Sequence, residues 1–412
     1  MLENIETVVV GGGQAGLAAS YFLTQQGREH IVLEKAAQAG EAWRNHRWDS
    51  FTLVTPNWTF RLPGAEYKGS DPDGFMPRHE IVAYFEQYVE RYHLPVRFNT
   101  NVQLVEKANG RYRVEANEAI FNARNVVIAT GLFQLPKIPP YSANLPDTVL
   151  QLHSGEYRNP EALPPGAVLV IGSAQSGCQI AEELYQNGRQ VYLSTCTAAR
   201  APRRYRGKDI VAWLALTDFF DRSADQMVSP TAKFTGNPLL TGKNGGHSLN
   251  LHQFYRDGVI LLGRSRDIQD SKAYFAPDLM ENLAKSDKGE SEYRMLIDDY
   301  IADNGLDAPE EELPLLQDGY RSEVITELDL KVAGINTIIW AMGYRSDFSL
   351  VKLPVFDPHG YPIQKNCATA YPGLYFLGLP WLTARKSGLL LGVGNDAAMV
   401  SDSITGTNYA KG

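Results

Sequence analysis

Two glycine-rich segments of the same design carry the first chemistry that this sequence indicates. One runs through Gly11, Gly13 and Gly16, and the other begins at Gly172 and ends at Gly177. Each follows a short apolar run and precedes a stretch with helical spacing, which is the strand–turn–helix setting of a dinucleotide-binding turn. Such a turn binds pyrophosphate because unpaired N–H groups and the positive end of the helix dipole face the phosphates. Two copies predict two dinucleotide sites in one chain.

The first turn predicts a site for FAD. Glycine at position 11 permits the tight turn, Gly13 lets the backbone approach a pyrophosphate, and Gly16 allows close helix–strand packing. The next apolar run ends in Glu34, whose carboxylate can accept both hydroxyls of an adenosine ribose. The predicted contacts with FAD at this turn are Gly11, Gly13, Gln14, Ala15, Gly16 and Glu34.

The second turn is followed by different chemistry. Aligning the strands after the two turns places Ser194 where Glu34 stands, and arginines fill the stretch before the next acid, Asp209. A hydroxyl with arginines suits a ribose that carries a 2′-phosphate, because a carboxylate there would repel the phosphate. The pattern favours NADPH over NADH, with a solvated basic loop as the alternative. The predicted contacts are Gly172, Ser173, Gln175, Ser176, Ser194, Arg200 and Arg204.

Hydrophobic periodicity predicts the elements that position these turns. We predict β-α-β units over residues 1–35 and 167–195, and a helix over 78–92. Buried strands over 125–129 and 337–341 end in similar glycine-containing segments, which we interpret as the two crossings between domains.

These crossings predict an α/β protein with two Rossmann-like dinucleotide-binding domains, the second inserted into the first. The FAD-binding domain would comprise residues 1–155 plus 340–412, and the NADPH-binding domain residues 156–339. A helical elaboration is expected at about 265–330, where acidic residues also fit a solvated helix face.

The composition is that of a globular protein large enough for two or three domains. Its 412 residues are 44% hydrophobic and 21% charged, with a net charge of −8, and one domain takes roughly 100–200 residues. The negative charge argues against nucleic acid or an anionic membrane as a partner. No apolar run approaches the ~20 residues of a membrane span, and the early first strand leaves no room for a signal peptide. We therefore expect a cytoplasmic protein, and a homodimer is left open.

The cysteines argue against dithiol chemistry. Cys178, Cys196 and Cys367 are far apart in sequence and form no C-x-x-C pair. A dithiol–disulfide reductase needs two thiols close together. We interpret Cys178, just inside the second predicted helix, as a packing residue.

The motifs resemble those of flavin-containing monooxygenases and their bacterial single-component relatives over nearly the whole chain. The matching segments are G-G-G-Q-A-G at 11–16, G-E-A-W-R at 40–44, A-T-G at 129–131, G-S-A-Q-S-G at 172–177, A-M-G-Y-R at 341–345 and P-G-L-Y-F-L-G at 372–378. The resemblance implies that Glu34 and Lys35 bind the adenosine side of FAD and that Trp43 packs near its middle. It also implies that Val102 meets the adenine and that Gly378 passes near the flavin. Arg44 and Ala129, from two of the motifs, complete the predicted FAD set.

The identifying segment of that family is only partly present. Its end survives from His153 to Tyr157, but Asp147 and Val149 replace the aromatic residue and the glycine at its start. By the resemblance, tyrosine at position 157 is more typical of the heteroatom oxygenases than of the Baeyer–Villiger enzymes. His153 also fits a purely structural role. Asn57 lies where the family often places an asparagine beside the flavin.

The resemblance implies that NADPH reduces FAD, that oxygen adds as a flavin hydroperoxide, and that a soft nucleophile takes one oxygen atom. We predict an NADPH-dependent monooxygenase of a small lipophilic amine, sulfide or aromatic compound, with that substrate and O2 as partners. The alternatives are an NAD(P)H-dependent electron-transfer reductase, a Baeyer–Villiger monooxygenase and a non-catalytic redox sensor. No catalytic side chain or metal ligand is assigned. Aromatic residues over 43–60 and at 213–220 fit either a substrate pocket or core packing.

Overall fold

Alternating strands and helices build a mixed α/β fold, seen in a computed structural model that describes residues 2–227, 229, 231–234, 236 and 238–406. The α-helices are α1 (Gln14–Gln25), α2 (Glu41–Arg44), α3 (Arg78–Arg91), α4 (Gln175–Gln186), α5 (Ile210–Leu216), α6 (Leu251–Arg256), α7 (Leu279–Asp303) and α8 (Val393–Thr405). The strands are β1 (Leu2–Val10), β2 (His30–Leu33), β3 (Arg61–Leu62), β4 (Ala65–Glu66), β5 (Val96–Arg97), β6 (Val102–Ala108), β7 (Arg111–Ala116), β8 (Ile120–Ile128), β9 (Leu135–Pro136), β10 (Leu150–His153), β11 (Ala167–Ile171), β12 (Val191–Ser194), β13 (Arg204–Tyr205), β14 (Lys208–Asp209), β15 (Leu240–Thr241), β16 (His247–Ser248), β17 (Ile260–Leu262), β18 (Ser265–Gln269), β19 (Lys272–Phe275), β20 (Glu327–Asp329), β21 (Ile335–Trp340), β22 (Tyr344–Arg345) and β23 (Leu374–Phe376).

The first sheet joins the two ends of the described chain. Its strand order is β5-β2-β1-β8-β7-β6, and β23 pairs with β8. β1 runs parallel to β2 and β8, and β23 also runs parallel to β8, whereas β6 and β7 add an antiparallel edge. Side chains of β1, β8 and β23 share one buried core with α1 and α8. This core holds the C-terminal segment beside the first glycine turn.

The second sheet is parallel throughout. Its order is β10-β21-β11-β12-β17, and all of its strands come from the chain between β8 and β23. All five residues of β11 are buried, as expected for a strand that is covered on both faces. The second glycine turn leaves this central strand.

Most predicted elements agree with the structure to within about two residues. The units β1-α1-β2 and β11-α4-β12 and the helix α3 are confirmed. β1 starts at Leu2, within the predicted unit, and residues 2–5 pair with β8. Besides α7, the segment 265–330 contains β18 and β19, which form an antiparallel sheet with β20. Short strands of mixed polarity give little periodicity, and sequence analysis did not find them.

A buried arginine ties the segment between α2 and α3 to the loops of the second sheet. Arg203 is 2% exposed, and its guanidinium lies 2.7 Å from the carboxylate of Asp209. It donates to the carbonyl of Val54 at 2.6 Å and lies 4.3 Å from the ring centre of Phe75. Asp209 also caps α5 through the N–H of Val211. One cation therefore holds three segments together.

Replacing Arg203 should destabilise the protein strongly. We expect Arg203→Ala to lower the free energy of unfolding by about 3–5 kcal/mol, because it leaves the buried carboxylate of Asp209 without its partner. Arg113→Ala is the matched control, since Arg113 pairs with Glu106 and Glu115 near the surface and should cost about 1 kcal/mol or less. Denaturant unfolding measures both. Equal losses in the two variants would contradict the role of Arg203.

Candidate functional site

The two glycine turns have the same backbone geometry. Gly11 has φ +105° and Gly172 has φ +107°, a region that favours glycine. The residue before each helix is extended, with φ −79° at Gly13 and φ −78° at Ala174. Alanine at position 174 therefore adopts the backbone that glycine has in the first turn.

Close packing explains the last glycine of each turn. A Cβ at Gly16 would overlap the carbonyl oxygen of Gly11, and a Cβ at Gly177 would overlap that of Gly172. α1 and α4 therefore begin directly at the strand ends, without a side-chain cap on their first N–H groups. A Cβ at Gly13 would meet nothing within 4 Å, so this turn has room for a pyrophosphate.

The segments beside the turns are also paired. The carbonyl oxygen of Ala129 lies against the first turn, and that of Ala341 lies against the second at an equivalent place. Gly131 and Gly343 follow with φ +73° and +77°. This confirms the predicted likeness of the two segments, because β8 and β21 end in the same way.

Glu34 lies at the end of β2 with its carboxylate on the first turn. It is buried, and its two oxygens accept hydrogen bonds from the N–H of Gly12 at 2.6 Å and of Ala36 at 2.8 Å. An ionised carboxylate has about four acceptor positions, so capacity is left for the two hydroxyls of a ribose. The position and the remaining capacity fit the adenosine end of FAD.

The C-terminal part of the chain passes beside the first turn. The side-chain amide of Gln14 donates to the carbonyl of Gly388 at 2.8 Å, and Gly378 lies directly against Ala15. A side chain at position 378 would therefore displace the turn. These contacts place Gly378 and Gly388 next to the first turn.

The other predicted FAD contacts are spread over neighbouring elements. Lys35 is exposed, and Trp43 is half-buried in α2. The guanidinium of Arg44 pairs with Glu86 at 2.6 Å, and Val102 is buried at the start of β6. Their roles toward FAD stay predictions.

At the second turn, Gln175 corresponds to Gln14. Its side-chain amide bonds in both directions to the backbone of Leu240. The hydroxyl of Ser173 accepts from the N–H of Cys196 at 2.9 Å. These bonds fix two loops of the second sheet around the turn.

Ser194 ends β12, as predicted. Its buried hydroxyl donates to the carbonyl of Gly263 at 2.9 Å and accepts from the N–H of Ser265 at 3.1 Å. Ser176 is half-buried in the first turn of α4. The hydroxyl of Ser194 thus has partners within the protein, and its contact with a ribose stays a prediction.

The predicted arginines have different surroundings. Arg200 is buried, and its guanidinium pairs with Asp287 and Glu290 of α7. Arg204 is exposed and donates to the carbonyls of Gly245 at 2.9 Å and Gly246 at 3.1 Å. Arg204 is therefore accessible to a phosphate, whereas Arg200 already has carboxylate partners. Both assignments to the 2′-phosphate stay predictions.

The segment from His153 to Tyr157 is held in place by hydrogen bonds to two other parts of the chain. The N–H of Gly155 donates to Nδ1 of His153 at 3.2 Å, so Nε2 donates to the carbonyl of Gly343 at 3.0 Å. Burial lowers the pKa of His153, which favours this neutral ring. The hydroxyl of Tyr157 donates to Glu183 of α4 at 2.8 Å, and burial raises its pKa. These bonds hold the chain between β10 and β11 against the end of β21.

Asn57 is also held by its own loop. Its Nδ2 donates to the carbonyl of Asp71 at 2.9 Å, and its Oδ1 accepts from the N–H of Met76 at 2.7 Å. Both ends of the amide therefore close the loop over residues 57–76.

Sequence reasoning missed a cluster of aromatic and basic side chains that follows Gly378. Arg385 lies over the rings of Phe219 and Trp381, which join it from distant and nearby parts of the chain. The available signal was a pair of cations, Arg385 and Lys386, inside the largely apolar stretch 379–393.

Comparisons with known proteins agree with this geometry. Residues 8–216 match the family described as pyridine nucleotide-disulphide oxidoreductase. Over 406 residues the chain is 32% identical to an uncharacterized CzcO-like oxidoreductase of Geobacillus kaustophilus, covering 98% of this chain and 99% of the relative. Over 194 residues it is 26% identical to the probable indole-3-pyruvate monooxygenase YUCCA1 of Arabidopsis thaliana, covering 45% and 46% of the two chains.

The fold is similar to that of a solved flavin-containing monooxygenase from Stenotrophomonas maltophilia. The TM-score is 0.65 at 22% identity, and the match covers 98% of this chain and 99% of that one. No helix of the described residues is long and apolar enough to cross a membrane. The relationship to flavin-containing monooxygenases predicted from the motifs is confirmed. The chain belongs to the pyridine nucleotide-disulphide oxidoreductase family and is an enzyme of that type.

Proposed function

We propose that this protein is an NADPH-dependent FAD monooxygenase that oxygenates a small lipophilic amine, sulfide or aromatic compound by the flavin hydroperoxide route. The observation that carries the proposal is one glycine turn repeated at the ends of parallel strands in two sheets. FAD at the first turn and NADPH at the second agree with a pyridine-nucleotide family and a flavin-containing structural neighbour.

We further propose that the two sheets are the cores of two Rossmann-like domains, residues 1–155 plus 340–412 and residues 156–339. Strand membership supports this division. The first sheet takes its strands from residues 2–128 and 374–376, and the second takes all of its strands from the chain between them. The boundary near residue 155 leaves β10 just outside the second domain, although β10 pairs with β21.

In this proposal the bound flavin supplies hydride acceptance and oxygen activation, and the chain binds, orients and excludes water. The first N–H groups of α1 face the pyrophosphate, and Glu34 accepts hydrogen bonds from the ribose. Val54, Trp58, Leu389 and Leu391 are partly buried and pack against the apolar core around α5. This apolar wall keeps water out, since a wet site would divert the oxidising equivalents to hydrogen peroxide.

The preference for NADPH rests on Arg204 in this proposal. Its guanidinium is exposed and near the loop of Gly245 and Gly246, and the carboxylate found at the equivalent place in the first turn is replaced by Ser194. A guanidinium binds a phosphate through charge-assisted hydrogen bonds. NADH lacks this phosphate and would gain nothing from Arg204.

Anaerobic reduction of the holoprotein with NADPH, followed by rapid mixing with oxygen, tests the reaction type. We expect a near-ultraviolet transient, distinct from reduced and oxidised flavin, before the oxidised spectrum returns. Stopped-flow absorbance records it. Immediate reoxidation with stoichiometric hydrogen peroxide would instead favour the electron-transfer reductase. Conversion of a ketone to a lactone or ester would favour the Baeyer–Villiger alternative.

Gly13→Ala tests whether the open space at the first turn holds the pyrophosphate. The backbone at Gly13 suits alanine, as Ala174 shows, so the protein should keep its unfolding midpoint. The added methyl group should nevertheless lower the affinity for FAD about tenfold, because it narrows the space beside the pyrophosphate. Ala174→Gly is the control and should leave FAD content unchanged. Full flavin occupancy in Gly13→Ala would place the pyrophosphate elsewhere.

Arg204→Ala tests the second nucleotide site. We expect KM for NADPH to rise about tenfold or more and KM for NADH to change less than about twofold, because one charged hydrogen bond contributes about 1.5–3 kcal/mol. Lys208→Ala removes an exposed charge from the same stretch and is the control. Steady-state kinetics with both nucleotides give the answer, and equal changes for the two nucleotides would remove Arg204 from the 2′-phosphate.

A further inference from the structure

The segment after Gly378 leads from the first glycine turn to a cluster of aromatic and basic residues. Gly378 lies against Ala15 of the turn, and the carbonyl of Gly388 accepts from Gln14. Between these two contacts the chain places Trp381 and Arg385. Their side chains therefore lie beside the part of the protein where the proposed function requires the flavin and its substrate.

Arg385 lies among aromatic rings. Its guanidinium carbon is 4.2 Å from the ring centre of Phe219 and 5.6 Å from that of Trp381. Arg222 lies 5.3 Å from the ring centre of Phe219, and the Phe219 and Tyr293 ring centres are 6.0 Å apart. We call these five residues the Arg385 cluster. Two cations thus share one aromatic ring.

The cations of the Arg385 cluster lack a carboxylate. Among the described residues, no acidic group lies within 4 Å of the guanidinium of Arg385 or Arg222, and Nε of Arg385 is buried without a hydrogen-bond partner. The nearby carboxylate of Asp221 pairs with Lys386. Burial and the neighbouring Arg222 lower the pKa of Arg385, as expected for a cation that lacks a counterion.

Two other arginines of the same region are neutralised within the protein. Arg200 has two carboxylates of α7, and Arg203 has Asp209. The fold therefore supplies counterions to its fully buried arginines. Arg385 and Arg222 are half-buried and, among the described residues, have no such counterion, so they could bind an external anion.

The helix α7 relates the Arg385 cluster to the end of β12. α7 contacts the end of β12 through Asn282, whose amide donates to Thr195 at 3.2 Å. Tyr293, in the Arg385 cluster, lies further along the same helix at a rise of about 16 Å from Asn282. The Arg385 cluster therefore lies well along α7 from the end of β12.

We propose that Arg385 and Arg222 bind the carboxylate of an aromatic or otherwise apolar acid, which is the substrate class of this enzyme. The inference rests on the proposed oxygenase function and names its substrate more closely. Guanidinium groups bind carboxylates through paired, charge-assisted hydrogen bonds. The hydroxyl of Tyr293, which has no hydrogen-bond partner among the residues described, is a further donor. Phe219 and Trp381 are buried under these cations and make their surroundings apolar, which suits an acid with an apolar body.

Binding of matched acids and amides to the holoprotein tests this proposal. The probes are indole-3-acetate against indole-3-acetamide, and phenylacetate against phenylacetamide, titrated by calorimetry and by the visible spectrum of the flavin. We expect each acid to bind about tenfold or more tightly than its amide. Arg385→Met and Arg222→Met, which keep an unbranched apolar side chain for packing, should each weaken acid binding about tenfold and leave amide binding unchanged.

Arg91→Met is the matched control, because Arg91 is exposed and also lies over a ring, that of Tyr92 at 5.3 Å. It should change neither affinity. Equal affinities for acid and amide, or no binding of either up to about 5 mM, would overturn the proposal. An equal loss of affinity for the acid and the amide in Arg385→Met would also overturn it, because that result indicates a packing role alone. A tenfold loss of affinity for NADP⁺ with unchanged affinity for the acid would overturn it as well.

The two proposals can fail separately. Acid selectivity is a binding measurement and needs no turnover, whereas the oxygenase function depends on the transient seen after oxygen mixing. Acid selectivity without that transient would keep the carboxylate site and remove the oxygenase reaction. The transient without acid selectivity would keep the oxygenase reaction and remove the carboxylate site.

Discussion

The close approach of helix to strand at the two glycine turns is the constraint on which the rest of the structure depends. At Gly16 and Gly177 even a methyl group would overlap the carbonyl oxygen of the first glycine of its turn. The helices can therefore start at the strand ends, with their N–H groups free for phosphate. Because β8 and β21 run beside these strands, their carbonyl ends also meet the turns. The same geometry thus fixes the places where the chain leaves each sheet.

Sequence analysis predicted the elements that are determined by neighbouring residues and missed the contacts between residues that are far apart in the chain. The turns, β2, α1 and α4 follow from spacing within about thirty residues, because each is determined by its own periodicity and glycine positions. The Arg385 cluster combines residues 219–222, 293 and 381–385, which no local pattern relates. The hydroxyl of Ser194 also bonds to Gly263 and Ser265, which are about seventy residues away and could not be predicted from the local sequence. Position along a strand was predictable, and the partners of a side chain were not.

The basic stretch after β12 shows why composition alone does not identify a phosphate site. Arg200, Arg203 and Arg204 are close in sequence, yet the first two are buried with carboxylates and only Arg204 is exposed. A buried arginine needs a counterion within the fold, since a lone charge is costly to desolvate. The acidic residues that neutralise Arg200 come from α7, whose acidity looked like a solvated face in the sequence. Charge runs therefore have to be assigned residue by residue.

α7 connects the two parts of the proposed site. Near its start, Asn282 reaches Thr195 at the end of β12, and its middle carries the partners of Arg200. Further along, Tyr293 packs on Phe219, beside Arg385. A single rigid helix spans this distance, so a ligand that orders the Arg385 cluster would also steady the loop after β12. The proposed substrate site and the proposed nucleotide site therefore share α7 as one structural element.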